Sequence, residues 1–342
     1  MVSNISKGNG VCGHIVREIA RSKYQMEEPK TSGPSSGGKT LGAWINGITM
    51  ATSPSHKFGQ LIGNLLEEHM EPELQKFCTA RGLYLDKQGE RSPARSGRKV
   101  KWEDKYGNLH DLDFVIEVGG TRHQVGRPVA FIEAAWRRYT KHSRNKAQEI
   151  QGAVLPIAER YEWDAPFLGA VIAGIFTDGS LDQMRSTGFE ILYFSYNSIV
   201  EAFLSVNIDV RFDETTPDDL FQRTINDIEA LNNSQWKTLH DLLQDKNKSN
   251  ISNFLKTLEK TLDRQLSQVI VIPLHGDELT FATVNDAMEF INNFDEANGE
   301  GAFRKYEVIV RYSNGDSIDA SFQSKQSVLD FLAYVSQEPA AS

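Results

Sequence analysis

Apolar residues recur along this chain with two periods, and each change of period marks an expected element boundary. From Ser55 the spacing is helical: Phe58, Leu61, Ile62, Leu65 and His69 share one face while Glu67, Glu68 and Glu71 lie off it, which predicts a helix to about Arg81, stopped by Gly82. Residues 86–108 are polar and charged and read as a long loop. Over 110–118 the period becomes two, predicting a strand with Leu112, Phe114 and Ile116 on one face and Asp111, Asp113, Val115 and Glu117 on the other. A second strand is expected over 128–134, close enough along the chain to pair with the first as an antiparallel hairpin, and Glu133 interrupts its apolar run.

Helical spacing returns at Ala147, Ile150 and Val154, predicting a helix from Ser143 that ends or kinks at Pro156. The continuous apolar runs 168–176 and 189–194 read as strands buried on both faces, with short helices over 180–186 and 197–204. Strands and helices in this order indicate a mixed α/β core. Residues 217–265 are helical and polar and read as a connecting layer. Beyond them lies a repeat of two strand-strand-helix units, 269–294 and 307–335, turning at Gly276-Asp277 and at Asn314-Gly315-Asp316. The expected division is a flexible arm over 1–54, an α/β core domain over 55–212, a helical linker layer over 213–266 and a small α+β domain over 267–342. A chain of 342 residues is consistent with more than one folding unit, at roughly 150 residues each.

Composition narrows the partners. The longest uncharged apolar stretch, 165–176, falls short of the roughly 20 residues that span a bilayer, and residues 1–10 lack the apolar run of a signal peptide, so a cytoplasmic protein without membrane contact is expected. Cys12 and Cys78 belong to no C-x-x-C pair, and the histidines lack zinc-site spacing. Net charge is −9, but residues 201–342 carry 24 acidic and 12 basic side chains, which leaves the first 200 residues at +3. A polyanion would therefore meet the first part of the chain, where Arg137, Arg138, Lys141, Arg144 and Lys146 form one basic cluster and Arg91, Arg95, Arg98, Lys99 and Lys101 another.

Gly33 to Thr40 matches the phosphate-loop pattern G-x-x-x-x-G-K-[ST], yet the preceding residues lack the apolar strand that delivers such a loop, so no nucleotide partner is expected. The stronger constellation is Asp113 on one predicted strand and Glu133 on the next, two hard oxygen ligands suited to Mg²⁺, followed at once by basic and aromatic residues. Asp113-Phe114-Val115-Ile116-Glu117, Phe131-Ile132-Glu133-Ala134-Ala135 and the basic helix after them resemble the core of the PD-(D/E)xK nucleases, over residues 55–204. The resemblance implies a restriction-endonuclease-like mixed sheet flanked by helices, and a Mg²⁺-dependent endonuclease cutting double-stranded DNA in the manner of a type II restriction enzyme. It implies Asp113 and Glu133 as metal ligands and catalytic residues, and an extra carboxylate from the first helix, between whose Glu67 and Glu68 helical phase does not choose.

The sequence departs from that pattern at Ala135, where the family carries lysine. The site is then inactive, or Ala135 is an engineered change, or the lysine comes from elsewhere, with Lys146 first and Lys141 second. DNA contacts are expected from Arg137, Arg138, Lys141, Arg144 and Gln148, with Gln151 a further candidate. A homodimer is the expected assembly, because a palindromic site has two-fold symmetry. The competing expectation is a nuclease-fold protein that binds DNA without cutting it.

Overall fold

In the computed structural model, residues 53–139, 143–274, 278–297 and 303–336 are described. The phosphate-loop match, Cys12, Lys141 and the Gly276-Asp277 turn lie outside them. The first helix, α1 (Pro54–Ala80), is capped by Ser53, whose side chain accepts from the His56 N–H, and it buries the predicted stripe of Phe58, Ile62, Leu65 and His69 together with Leu66 and Met70. Strands β1 (Tyr84–Lys87), β2 (Val100–Glu103), β3 (Leu109–Leu112), β4 (Phe114–Val118) and β5 (Arg127–Arg137) follow, then α2 (Ser143–Arg160). The core closes with β6 (Phe167–Gly174), α3 (Asp178–Ser186), β7 (Phe189–Ser195) and α4 (Tyr196–Leu204).

The five-stranded sheet has the order β1-β4-β5-β6-β7. Pairings β1/β4 and β4/β5 are antiparallel, whereas β5/β6 and β6/β7 are parallel, each reached through a helical crossover. One sheet face packs Phe114, Ile116, Ile132 and Val171 against α1 and α4. The other packs Val115, Phe131, Ala170 and Ile172 against Ala147, Ile150 and Val154 of α2 and Leu181 and Met184 of α3. A mixed sheet between helical layers is thus what the alternating pattern foretold.

Several expectations are corrected. The predicted strand over 110–118 is two strands: β3 pairs with β2 in a separate ribbon, β4 joins the main sheet, and the chain bends between them at Asp113. Leu112 and Val115 accordingly face the second core while Phe114 and Ile116 face the first, so the alternation slips at the bend. The loop expected over 86–108 contains the end of β1 and all of β2, a strand whose inward residues are only Val100 and Trp102. Pro156 does not end α2, which runs on to Arg160.

Two more helices, α5 (Asp218–Glu229) and α6 (Asn233–Leu262), occupy the region read as a connecting layer. Their Phe221, Ile225, Ile228, Leu239, Leu243, Phe254 and Leu258 are buried in the same core as α1 and the sheet. Where α6 crosses α1, the Nδ1 atoms of His69 and His240 lie 3.1 Å apart, one ring donating to the other.

The repeat expected after residue 267 is present as β8 (Leu266–Pro273), β9 (Leu279–Phe281), α7 (Val284–Asn293), β10 (Tyr306–Tyr312), β11 (Ser317–Phe322) and α8 (Lys325–Ser336). The sheet order is β11-β10-β8-β9, so the first strands of the two units pair at its centre. A 3-10 turn after α2, Glu162–Asp164, anchors this unit: Trp163 packs on Phe322, Phe331 and Tyr334. Beside it Asp164 accepts from the Tyr334 hydroxyl (2.6 Å) and from Arg127 (3.0 Å).

Two members of the basic cluster at 91–101, Arg91 and Arg95, are consumed by the fold. Arg91 makes a two-pronged bond to Glu117 (2.6 and 2.9 Å) and also reaches Asp86, while Arg95 binds Asp86 from the other side. Glu117, on the strand face opposite Phe114 and Ile116, is fully buried there.

Removing one member of a buried, hydrogen-bonded ion pair leaves its partner charged in a poor solvent. Arg91→Ala is expected to lower the unfolding free energy by roughly 3–5 kcal/mol, read from urea denaturation, with Lys99→Ala as the surface comparison that barely moves it. Burial and then His240 pull the His69 pKa from 6.5 to about 4. The unfolded chain therefore binds a proton between those values that the native state refuses. Stability should be insensitive to His69 above pH 7 and fall by on the order of 2 kcal/mol as pH drops from 6.5 to about 4. His69→Gln should flatten that limb of the pH–stability curve.

Candidate active site

The bend at Asp113 decides the geometry of this region. Phe114 is paired with Ile132, so the next position back brings Asp113 beside Glu133 on β5. Two bonds tie the bend to β5: the Ala134 N–H donates to Oδ2 of Asp113 (2.6 Å), and the Asp113 N–H donates to Oε1 of Glu133 (3.3 Å). Each carboxylate satisfies backbone that the bend withdraws from the ladder, and each is thereby fixed in direction.

Charge is crowded here. Burial, offset in part by the Ala134 N–H and by Lys146, raises the Asp113 pKa. Burial and then the Asp113 charge push Glu133 well above the ordinary carboxylate range, with Lys146 pulling the other way. A third carboxylate comes from α1, where burial and then Asp113 raise Glu67 to about 7. The structure therefore distinguishes the two candidates on α1: Glu67 senses Asp113 and Glu133, whereas Glu68 is exposed.

Lys146, one residue before the buried Ala147 on α2, is half-buried and is the cation that both Asp113 and Glu133 feel. Its Nζ also lies 3.3 Å from Oε2 of Glu149 one turn on, and Glu149 binds Arg137 at the same distance. Glu149 was missed in the sequence; it is four residues from no other marked acid, and its only signal is its i+3 spacing from Lys146. Ala135 is buried at 3% exposure against the α2 side of the sheet, among Ala147 and Ile150.

The expected DNA-contacting residues separate. Arg137 turns toward α2 and Glu149. Arg138 goes to the opposite side, its guanidinium 4.3 Å from the ring centres of both Tyr139 and Phe221 and 3.4 Å from the Ser55 hydroxyl. It is thus stacked into the fold rather than displayed. Arg144 and Gln148 are exposed on α2, and Lys141 lies outside the described residues. Gln151 is excluded as a contact, because its side chain is spent on Gln183 and Thr187 of the α3 segment.

Among the described residues no group of three or more His, Cys, Asp or Glu side chains is arranged to hold a metal ion. What the site offers a cation is the Asp113–Glu133 pair, and Mg²⁺, which keeps most of its waters, needs only one or two carboxylates.

No protein-family model and no curated protein matches the chain. A solved structure of a protein of unknown function, AF1548, aligns with 57% of this chain and 98% of its own length, at 11% identity and a TM-score of 0.25.

Holding two carboxylates together against burial and mutual repulsion costs stability whenever both are charged. In metal-free buffer at pH 8, Glu133→Gln is expected to raise the melting temperature by on the order of 2–5 °C. The same substitution should abolish any further rise on adding Mg²⁺.

Proposed function

We propose that this protein is a Mg²⁺-dependent endonuclease of the PD-(D/E)xK type that cuts double-stranded DNA, working as a restriction enzyme of the type II kind and as a homodimer. The observation that carries the reading is the pair of carboxylates held at the bend, Asp113 by the Ala134 N–H and Glu133 by the Asp113 N–H, with Lys146 as the cation beside both. Structural carboxylates are ordinarily neutralised by an arginine, as Glu117 is by Arg91. These two are instead left with a surplus of negative charge that a divalent cation would relieve, so the residues fit the ion.

Asp113 and Glu133 would hold it. Bound there, Mg²⁺ would neutralise charge on the scissile phosphate and make water easier to deprotonate. The protein supplies the remainder. Glu133 is oriented by the Asp113 N–H and Asp113 by the Ala134 N–H. Lys146 reaches the same place from α2 and orients the attacking water, taking the role of the lysine that Ala135 lacks. Water oxygen bonds to phosphorus in line as the bond to the leaving sugar oxygen breaks, and that oxygen takes up a proton. Glu67, near half-ionised at neutral pH, is a proton acceptor of suitable strength close by.

The second reading, a DNA-binding protein without hydrolysis, is favoured by two observations: Ala135 is packed into the core, and Lys146 already has Glu149 as a partner.

Digestion of unmethylated plasmid and phage DNA separates them. Discrete, Mg²⁺-dependent fragments are expected, absent with Asp113→Ala and Glu133→Ala and formed at a rate lower by a factor on the order of 100 or more with Lys146→Ala. Intact DNA that shifts on a gel would establish the second reading instead.

A further inference from the structure

Of the basic residues at 91–101, Arg91 and Arg95 are tied to buried carboxylates, but Lys99 and Lys101 stay at the surface. Their backbone is firmly placed. Val100 and Trp102, the alternate residues of β2, are buried at 1% and 7% exposure, and β2 is paired to β3 with Val100 opposite Leu112 and Lys101 opposite Asp111. Side chains alternate across a strand, so Lys99, Lys101 and Asp111 all project from the outward face of this ribbon. The ladder ends at Val100 opposite Leu112, one residue short of the bend at Asp113. Asp111 lies only two residues before Asp113, so the outward face of the ribbon, with both lysines, ends at the bend that carries the candidate site.

Lys99 is not idle there: its Nζ lies 2.5 Å from Oδ2 of Asp111, with the two side chains 64% and 47% exposed. An ion pair that open to water contributes little to folding and exchanges readily for another anion. Among the described residues Lys101 has no ion pair, and the Asp111 carboxylate makes no bond other than the one to Lys99.

Resting on the reading of the site as a DNA-cutting one, we propose that Lys99 and Lys101 form a second phosphate-binding wall beside Asp113, and that Asp111 stands in for a backbone phosphate. A carboxylate and a phosphate offer Lys99 the same chemistry, an anionic oxygen acceptor. In the free protein Asp111 occupies the ammonium; on binding, a phosphate flanking the scissile one displaces it, and Asp111 returns to water. Asp111 thereby weakens general attachment to nucleic acid, since every phosphate must compete with it.

The test is binding of the full chain to a fluorescein-labelled duplex fragment without Mg²⁺, followed by anisotropy over a range of salt. Lys99→Ala and Lys101→Ala should each weaken binding on the order of three- to tenfold and reduce the slope of log affinity against log salt by about one. Asp111→Asn should tighten binding, and the gain should shrink in the Lys99→Ala, Asp111→Asn double variant. If the wild-type chain binds and the two lysine variants bind equally well with the same salt slope, the wall is overturned while the DNA reading stands. If Asp111→Asn weakens binding, the stand-in role is overturned. Failure of the wild-type chain to bind duplex at low salt overturns both this inference and the reading beneath it.

Discussion

The bend at Asp113 is the constraint on which the candidate site depends. A continuous strand from Leu109 to Val118 would have kept the alternation regular and carried the ribbon residues into the main sheet. Instead the chain leaves β3, turns, and enters β4, and the ladder bonds lost at the turn are replaced by two carboxylates bonded to backbone N–H groups. Each carboxylate is needed where it is because it satisfies a neighbour's backbone. Their proximity, unfavourable electrostatically, is therefore stabilised by hydrogen bonding, and burial in turn raises both pKa values.

Much of the fold was legible in the sequence. The stripe of Phe58, Ile62 and Leu65, the runs that became β6 and β7, and the two strand-strand-helix units each carried a period long enough to identify an element. What failed was short or depended on partners distant in sequence. Strands of four residues such as β1 and β2 offer too few alternations to stand out from a polar loop. Composition marks Arg91 as one member of a basic cluster, and only the tertiary fold shows that Glu117 and Asp86 neutralise it.

The site was legible in its members more than in its arrangement. Asp113, Glu133 and Lys146 could be named, and they do converge. Glu67 could not be told from Glu68, because both lie off the apolar stripe and only the crossing of α1 over the sheet settles which one faces Asp113. Arg138 followed Arg137 in every sequence argument, yet successive residues leave the end of a strand on opposite sides, and one stacks on aromatics while the other meets α2. The helical region over 213–266 carried the right periodicity, but no local signal said that α5 and α6 would line the main core.

The turn at Trp163 and Asp164 bears on how far the two folded units can be treated as separable modules. Arg127, which binds Asp164, is the first residue of β5, and Glu133 lies on that same strand. Arg264, beyond the end of α6, donates to the carbonyls of Asp164 and Ala165. Tyr334 of the last helix closes the group through its hydroxyl. A chain shortened before β8 would expose the Trp163 indole to water and take away the donor that Tyr334 gives Asp164. The helix α8 thus helps to hold the start of the strand that carries Glu133 farther along, and an attempt to isolate the sheet as a minimal enzyme would begin by loosening that strand.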